Sequence, residues 1–168
     1  LYRAKDAGTS FLTLVSLDLG ASDERPSLTS VQSRPGTVYL SAQKLYVAAD
    51  WLGAEHEHAT AVHAFDLGAD RKGAQYLGSA RVKGRVMVAS SLDEWQDRLR
   101  IVTGPGYAFD HPDEEATLSV LGMRDGQLQL LGQRAGFGLN QDLCWVRFEG
   151  EHAFIATAIP SEPLQSTN

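Results

Sequence analysis

The stretch RVMVASSLDEWQDRLRIVT, residues 85–103, decides the fold. It reads as a strand-like run over residues 86–89, a short polar turn containing Asp93, Glu94 and Trp95, and a second strand-like run over residues 99–103. Hairpins of the same form recur on either side of it. Upstream, residues 38–40 and 45–49 pair across residues 41–44, and residues 61–67 and 75–80 pair across a turn containing Asp70, Arg71 and Lys72. Downstream come residues 117–121 and 128–133, joined at Asp125-Gly126, and then residues 144–148 and 153–157, joined at Glu149-Gly150.

A fixed interval links these hairpins. LYVAAD starts at Leu45, LRIVTG at Leu99 and AFIATA at Ala153, two equal steps of 54 residues. Tyr76-Leu77-Gly78 and Leu130-Leu131-Gly132 are also 54 apart, whereas Asp18-Leu19-Gly20 and Asp66-Leu67-Gly68 are 48 apart. Repeats of about 40–50 residues with four strands each mark the blades of a β-propeller. A single four-stranded blade has two apolar faces and cannot bury both alone, so blades stack side by side. That is why LYVAA and LRIVT run continuously apolar, with no clean alternation.

The fold class is therefore all-β: a β-propeller fragment of four-stranded antiparallel blades. At the start of the chain, residues 11–19 read as a strand with both faces buried or nearly so, and residues 28–32 as a weaker strand before the Arg34-Pro35-Gly36 turn. With strands lettered A to D from the axis outward, the chain holds a half-blade (C–D, residues 11–33), blades over residues 37–81 and 85–134, a half-blade (A–B, residues 143–158) and a tail over residues 159–168. Three blades' worth of strands is fewer than the four to eight of a closed ring. Either most of the protein lies outside this chain, the preferred reading, or the half-blades pair between chains, two copies making six blades with two-fold symmetry.

Composition agrees with a globular domain: 168 residues, 43% hydrophobic and only 21% charged, enough to bury a core. The net charge of −6 argues against a nucleic-acid surface, which needs clustered Lys and Arg. Cys144 stands alone, so no internal disulfide forms, and between Leu143 and Trp145 it reads as a small buried hydrophobe. No apolar run approaches the ~20 residues of a membrane span. The chain begins without Met, and LYRAKDAG has no signal-peptide pattern, so an excised fragment is expected.

Residues 60–68 (TAVHAFDLG), the Gly84 turn, SSLDEWQDRLRIVTG, TLSVLGMRDGQLQLLGQ and WVRFEGEHAFIATA together resemble the bacterial and archaeal secreted proteins with a C-terminal β-propeller domain, distantly like WD-repeat propellers. The match covers roughly residues 37–157. Where that family runs on through D-P-L into a further strand, this chain has Glu162-Pro163-Leu164. The resemblance implies a propeller located outside the cytoplasm, secreted, periplasmic or on the cell surface, and it carries over no catalytic residues.

In a propeller the B–C and D–A connections share one face. The two longest irregular stretches, residues 50–59 (DWLGAEHEHA) and 104–116 (GPGYAFDHPDEEA), are B–C loops of adjacent blades and form the expected ligand face. Trp51, Tyr107 and Phe109 are the candidate binding residues, since exposed aromatics stack on sugars and peptides. Asp110, Asp113 and Glu114, with His111 and Glu115 nearby, are the candidate ligands for calcium, which takes several oxygens, although the spacing matches no EF-hand. Glu55, His56 and His58 make a weaker zinc or copper set without further placed ligands.

His63 reads as a strand residue and His152 as a turn residue. Asp93 and Glu94 are adjacent carboxylates, yet Ser91-x-x-Glu94 matches a capping box that starts a single helical turn, a structural use. No phosphate loop, nucleophile elbow or Cys/His zinc spacing is present in the sequence. The sequence thus points to a non-catalytic propeller module that binds a protein, peptide or glycan, or serves as a scaffold, with no nucleic-acid partner and no membrane span. The alternatives are a hydrolase-like enzyme using Asp110, Asp113, Glu114 and His56 on the same face, and a purely structural part of a larger cell-surface protein.

Overall fold

Short strands and tight turns alternate throughout a computed structural model, which describes residues 2–3, 10–20, 25–52, 58–68, 73–105 and 115–159. β1 (Tyr2–Arg3), β2 (Phe11–Ser16) and β3 (Ser27–Gln32) form one sheet in the order β1-β3-β2, with β1 parallel to β3. β4 (Gly36–Leu40), β5 (Lys44–Leu52), β6 (His58–Asp66) and β7 (Gln75–Lys83) form a four-stranded antiparallel sheet in chain order. β8 (Leu92–Trp95), β9 (Arg98–Thr103), β10 (Ala116–Arg124) and β11 (Gln127–Phe137) form a second, and β12 (Asp142–Glu149) pairs with β13 (His152–Ala158). Two four-stranded antiparallel meanders flanked by smaller sheets are the architecture expected of a propeller fragment. The 54-residue interval holds in the strands themselves: β5, β9 and β13 begin at Lys44, Arg98 and His152.

The sheets bury their apolar faces against one another, and each contact is a separate core. Leu12, Leu14 and Val31 of the first sheet pack on Leu45, Val47 and Phe65 of β5 and β6. On the opposite face of the β4–β7 sheet, Tyr46, Ala48, Val62 and Val82 meet Leu92, Leu99, Ile101 and Leu121 of the next sheet. That sheet in turn presents Val102, Ala116 and Leu118 to Leu143, Val146 and Ile155 of β12 and β13. The central strands β5, β6 and β9 are covered on both sides, which accounts for their continuous apolar runs.

The connection from one sheet to the next is built the same way twice. Gly84, with φ +79°, sits against Thr103, and a Cβ there would lie 2.7 Å from the Gly104 carbonyl oxygen. One repeat on, Gly138, with φ +73°, sits against Thr157, and a Cβ would lie 2.7 Å from its hydroxyl oxygen. Both threonines lie in the strand that the new sheet extends. Thr103 donates to the Lys83 carbonyl at 2.5 Å and Thr157 donates to the Gln141 side-chain oxygen at 2.5 Å, tying each incoming connection down.

Several local expectations are corrected. Residues 92–95 are strand β8, so Asp93, Glu94 and Trp95 stand in the sheet, and the hairpin turn is Gln96-Asp97, with φ of 51° and 60°. Two consecutive positive φ values match the right-handed twist of paired strands, which a polar DEW turn could not supply. The expected strand over residues 86–89 is absent; a 3-10 turn occupies Ala89–Ser91 and ends where the capping box was expected to begin. Its N-cap is Val88, and the buried Ser91 hydroxyl has no hydrogen-bond partner among the described residues.

Residues 11–19 form a strand only as far as Ser16, with alternating exposure instead of two buried faces. Cys144 is exposed, because a bulge between Leu143 and Trp145 turns both Cys144 and Trp145 outward. His152 is the first residue of β13, its ring stacked 6.4 Å from Phe154. His63 is a strand residue as expected.

Candidate functional site

Asp93 and Glu94 are drawn into contacts between sheets. Glu94 in β8 accepts the Tyr46 hydroxyl of β5 at 2.6 Å and the Lys44 ammonium at 3.3 Å, while its backbone N–H donates to the Tyr39 hydroxyl of β4 at 3.0 Å. Burial and the Glu94 carboxylate both push the Tyr46 phenol up, so it stays a donor. For Lys44, burial alone would lower the pKa, but the carboxylates of Asp97 and Glu94 outweigh it and the net direction is upward. Asp93 pairs with Arg100 within its own sheet. Arg100 also donates to the Gly150 carbonyl at 2.7 Å and lies 4.8 Å over the Phe148 ring, reaching the β12–β13 sheet.

Tyr46 with Glu94 and Arg100 with Phe148 occupy the same two repeat positions, 54 residues apart. One seam is closed by a phenol–carboxylate hydrogen bond and the next by a cation over a ring. Both carboxylates of the DE pair are thus committed to structural partners.

At the other end of the strands, Trp51 lies in β5, opposite Ala59 of β6, and is not a loop residue. β5 continues to Leu52 and β6 starts at His58, so the expected 50–59 loop shrinks to residues 53–57, which lie outside the described residues. His58 is likewise a strand residue. The second loop is shortened at both ends, since Gly104 bridges Arg85 and Ala116 begins β10.

The Arg81 guanidinium of β7 lies 4.5 Å over the Trp51 ring. Together they form part of a groove of about 380 Å³ whose other walls are Ala59, Val82 and Lys83 from the same sheet and Leu130 and Gln133 from β11 of the next. The Trp51 indole nitrogen is buried and has no hydrogen-bond partner among the described residues. Gln133 donates to the Ser119 hydroxyl at 3.2 Å, which fixes its amide. Near the same strand end, Arg85 of the connection between the sheets pairs with Asp50 at 2.7 Å. The groove therefore offers a flat aromatic, two cationic side chains, an amide and an apolar wall.

Of the residues expected to form a site, Trp51, His58 and Glu115 are described. Tyr107, Phe109, Asp110, His111, Asp113, Glu114, Glu55 and His56 lie outside the described residues. Among the described residues no three His, Cys, Asp or Glu side chains converge as a metal set. Sequence reading missed Arg81, Lys83 and Gln133. The signal for the first two was the alternation Arg81, Val82, Lys83 in β7, with the valine inward; Gln133 belongs to another sheet and only packing brings it to the groove.

A family model described as "Beta propeller domain" matches residues 1–166. The chain belongs to the beta propeller domain family. Its sheets are accordingly the blades of a propeller, and the seams closed by Glu94 and Arg100 lie between blades. An uncharacterized protein of Archaeoglobus fulgidus is 34% identical over 87 residues, which is 52% of this chain and 13% of that protein. The matched part of the chain thus spans about an eighth of that relative's length. No solved structure shows a significant match. No helix among the described residues is long and apolar enough to cross a membrane.

Proposed function

We propose that this propeller is a non-catalytic binding or scaffold module whose ligand face is the end of the blades carrying residues 53–57 and 106–114, with Trp51 at its centre. The observation that carries the reading is the Trp51–Arg81 groove: an indole with an unused N–H among the described residues, a stacked guanidinium and a neighbouring lysine. Aromatic and arginine side chains in a groove favour binding of peptides and glycans, which present both planar or apolar faces and hydrogen-bonding groups. Arg81 and Lys83 further favour ligands with carboxylate or other anionic groups, in a chain whose own net charge is −6. Tyr107 and Phe109 are proposed to extend this surface, and calcium at Asp110, Asp113 and Glu114 to order it. The resemblance to secreted propeller proteins supports a location outside the cytoplasm.

The test is a glycan and peptide array probed with wild type and Trp51→Ala. The variant is expected to lose binding at least about tenfold, in the range typical of an interface anchor. Equal binding by both proteins would contradict the choice of surface.

A further inference from the structure

The groove at Trp51 lies between the two complete blades, and its cations are its most specific feature. The register of the β4–β7 blade sets Trp51, Ala59 and Lys83 side by side in β5, β6 and β7, with Ala49, Ala61 and Arg81 in a neighbouring row of the same face. Only alanines stand between β7 and β5 in these rows. The Arg81 side chain therefore has room to cross β6 and set its guanidinium 4.5 Å over the Trp51 ring. A guanidinium stacked in this way loses rotational freedom before any ligand arrives, and stacking leaves the N–H groups around its edge unused.

Ion pairs among the described residues engage Lys44, Arg85, Arg100 and Arg147, whereas Arg81 and Lys83 have no acidic partner among those residues. No carboxylate lines the groove between them. In a chain of net charge −6 this is a local excess of the opposite sign, which selects for an anionic ligand.

The remaining wall narrows the class. Leu130 is 44% exposed and, with the buried Val82, supplies an apolar surface beside the charges. The Gln133 amide nitrogen donates to Ser119, which leaves its carbonyl oxygen as an acceptor. Arg81 already occupies a face of the Trp51 ring on which a sugar would stack. A carboxylate, an apolar side chain and backbone N–H donors, together within about 380 Å³, are what a short acidic peptide presents. An acidic glycan has no apolar side chain to place on Leu130.

We propose, on the reading that this groove is the ligand face, that its ligand is an acidic peptide. An aspartate or glutamate side chain of the partner is held bidentately by Arg81, Lys83 supports the same negative charge, and an adjacent apolar side chain packs on Leu130.

The test is calorimetric titration of the 168-residue chain with three probes: a blocked tetrapeptide of alternating glutamate and leucine, its glutamine counterpart, and trigalacturonate. The glutamate peptide is expected to bind at least about tenfold more tightly than the glutamine peptide, and to weaken with added salt. Arg81→Gln is expected to lower that affinity at least about tenfold, and Arg81→Lys, which keeps the charge without the planar fork, to fall between. Glutamine-peptide binding as tight as that of the glutamate peptide, lost in Trp51→Ala but kept in Arg81→Gln, overturns the acidic ligand and leaves the groove as the ligand face. Glutamate-peptide binding that neither Arg81→Gln nor Trp51→Ala weakens overturns both the ligand and the groove. Trigalacturonate bound more tightly than the peptide, with the same dependence on Arg81, overturns the peptide in favour of an acidic glycan. Absence of any binding by the glutamate peptide overturns the inference outright.

Discussion

His63 shows what a buried polar side chain contributes to a seam between sheets. It is fully buried, its Nε2 3.0 Å from the Ser33 hydroxyl and its Nδ1 3.2 Å from the Tyr76 hydroxyl. Ser33 follows the first sheet and Tyr76 lies in β7, so the imidazole ties a blade to its predecessor. Burial lowers its pKa below the ordinary value of 6.5, which means the fold favours the neutral ring. The unfolded chain then binds the extra proton more readily. The stability that His63 supplies is complete above about pH 6.5 and is lost as pH falls from there toward the lowered folded value. Urea unfolding midpoints measured between pH 8 and pH 5 are expected to decline through that window, with a shallower decline in His63→Gln. An identical slope in the variant would assign the acid sensitivity to other groups.

At the scale of the element, the 54-residue interval was legible because it recurs in the apolar runs of β5, β9 and β13; in β5 and β9 burial on both faces leaves little freedom of composition, whereas β13 alternates between half-buried and exposed residues. The inner strand β8 was misplaced because its residues Leu92, Asp93, Glu94 and Trp95 are half polar; their carboxylates are satisfied by Lys44, Tyr46 and Arg100, partners invisible in a local reading. Trp51 was found for its residue type, but the groove around it draws on two blades, and pattern along one strand cannot show that. The sheet-to-sheet connection is the element with the most specific demand. Gly138→Ala places a Cβ against Thr157 in a left-handed conformation and is expected to cost more than about 1 kcal/mol. Gly126→Ala, at a hairpin turn with φ +73° and open space around it, carries backbone strain alone and is expected to cost less. Thermal unfolding of the two variants side by side checks the order, and a reversed order would contradict the steric account of the connection.

At the scale of the whole molecule, the propeller is held together less by any one sheet than by the seams between sheets. Two of the three seams join an apolar core to a polar clasp near the hairpin turns, Tyr46 and Lys44 on Glu94 at one and Arg100 on Gly150 and Phe148 at the next. Such a stack gains cooperativity from its interfaces, as other repeat architectures do. The seam between the two complete blades is therefore the contact on which the account depends. A double-mutant cycle on Tyr46→Phe and Glu94→Gln, followed by urea unfolding, measures it directly. A coupling energy of about 1 kcal/mol or more between these residues of adjacent blades is the predicted result, and strictly additive effects of the two substitutions would contradict it.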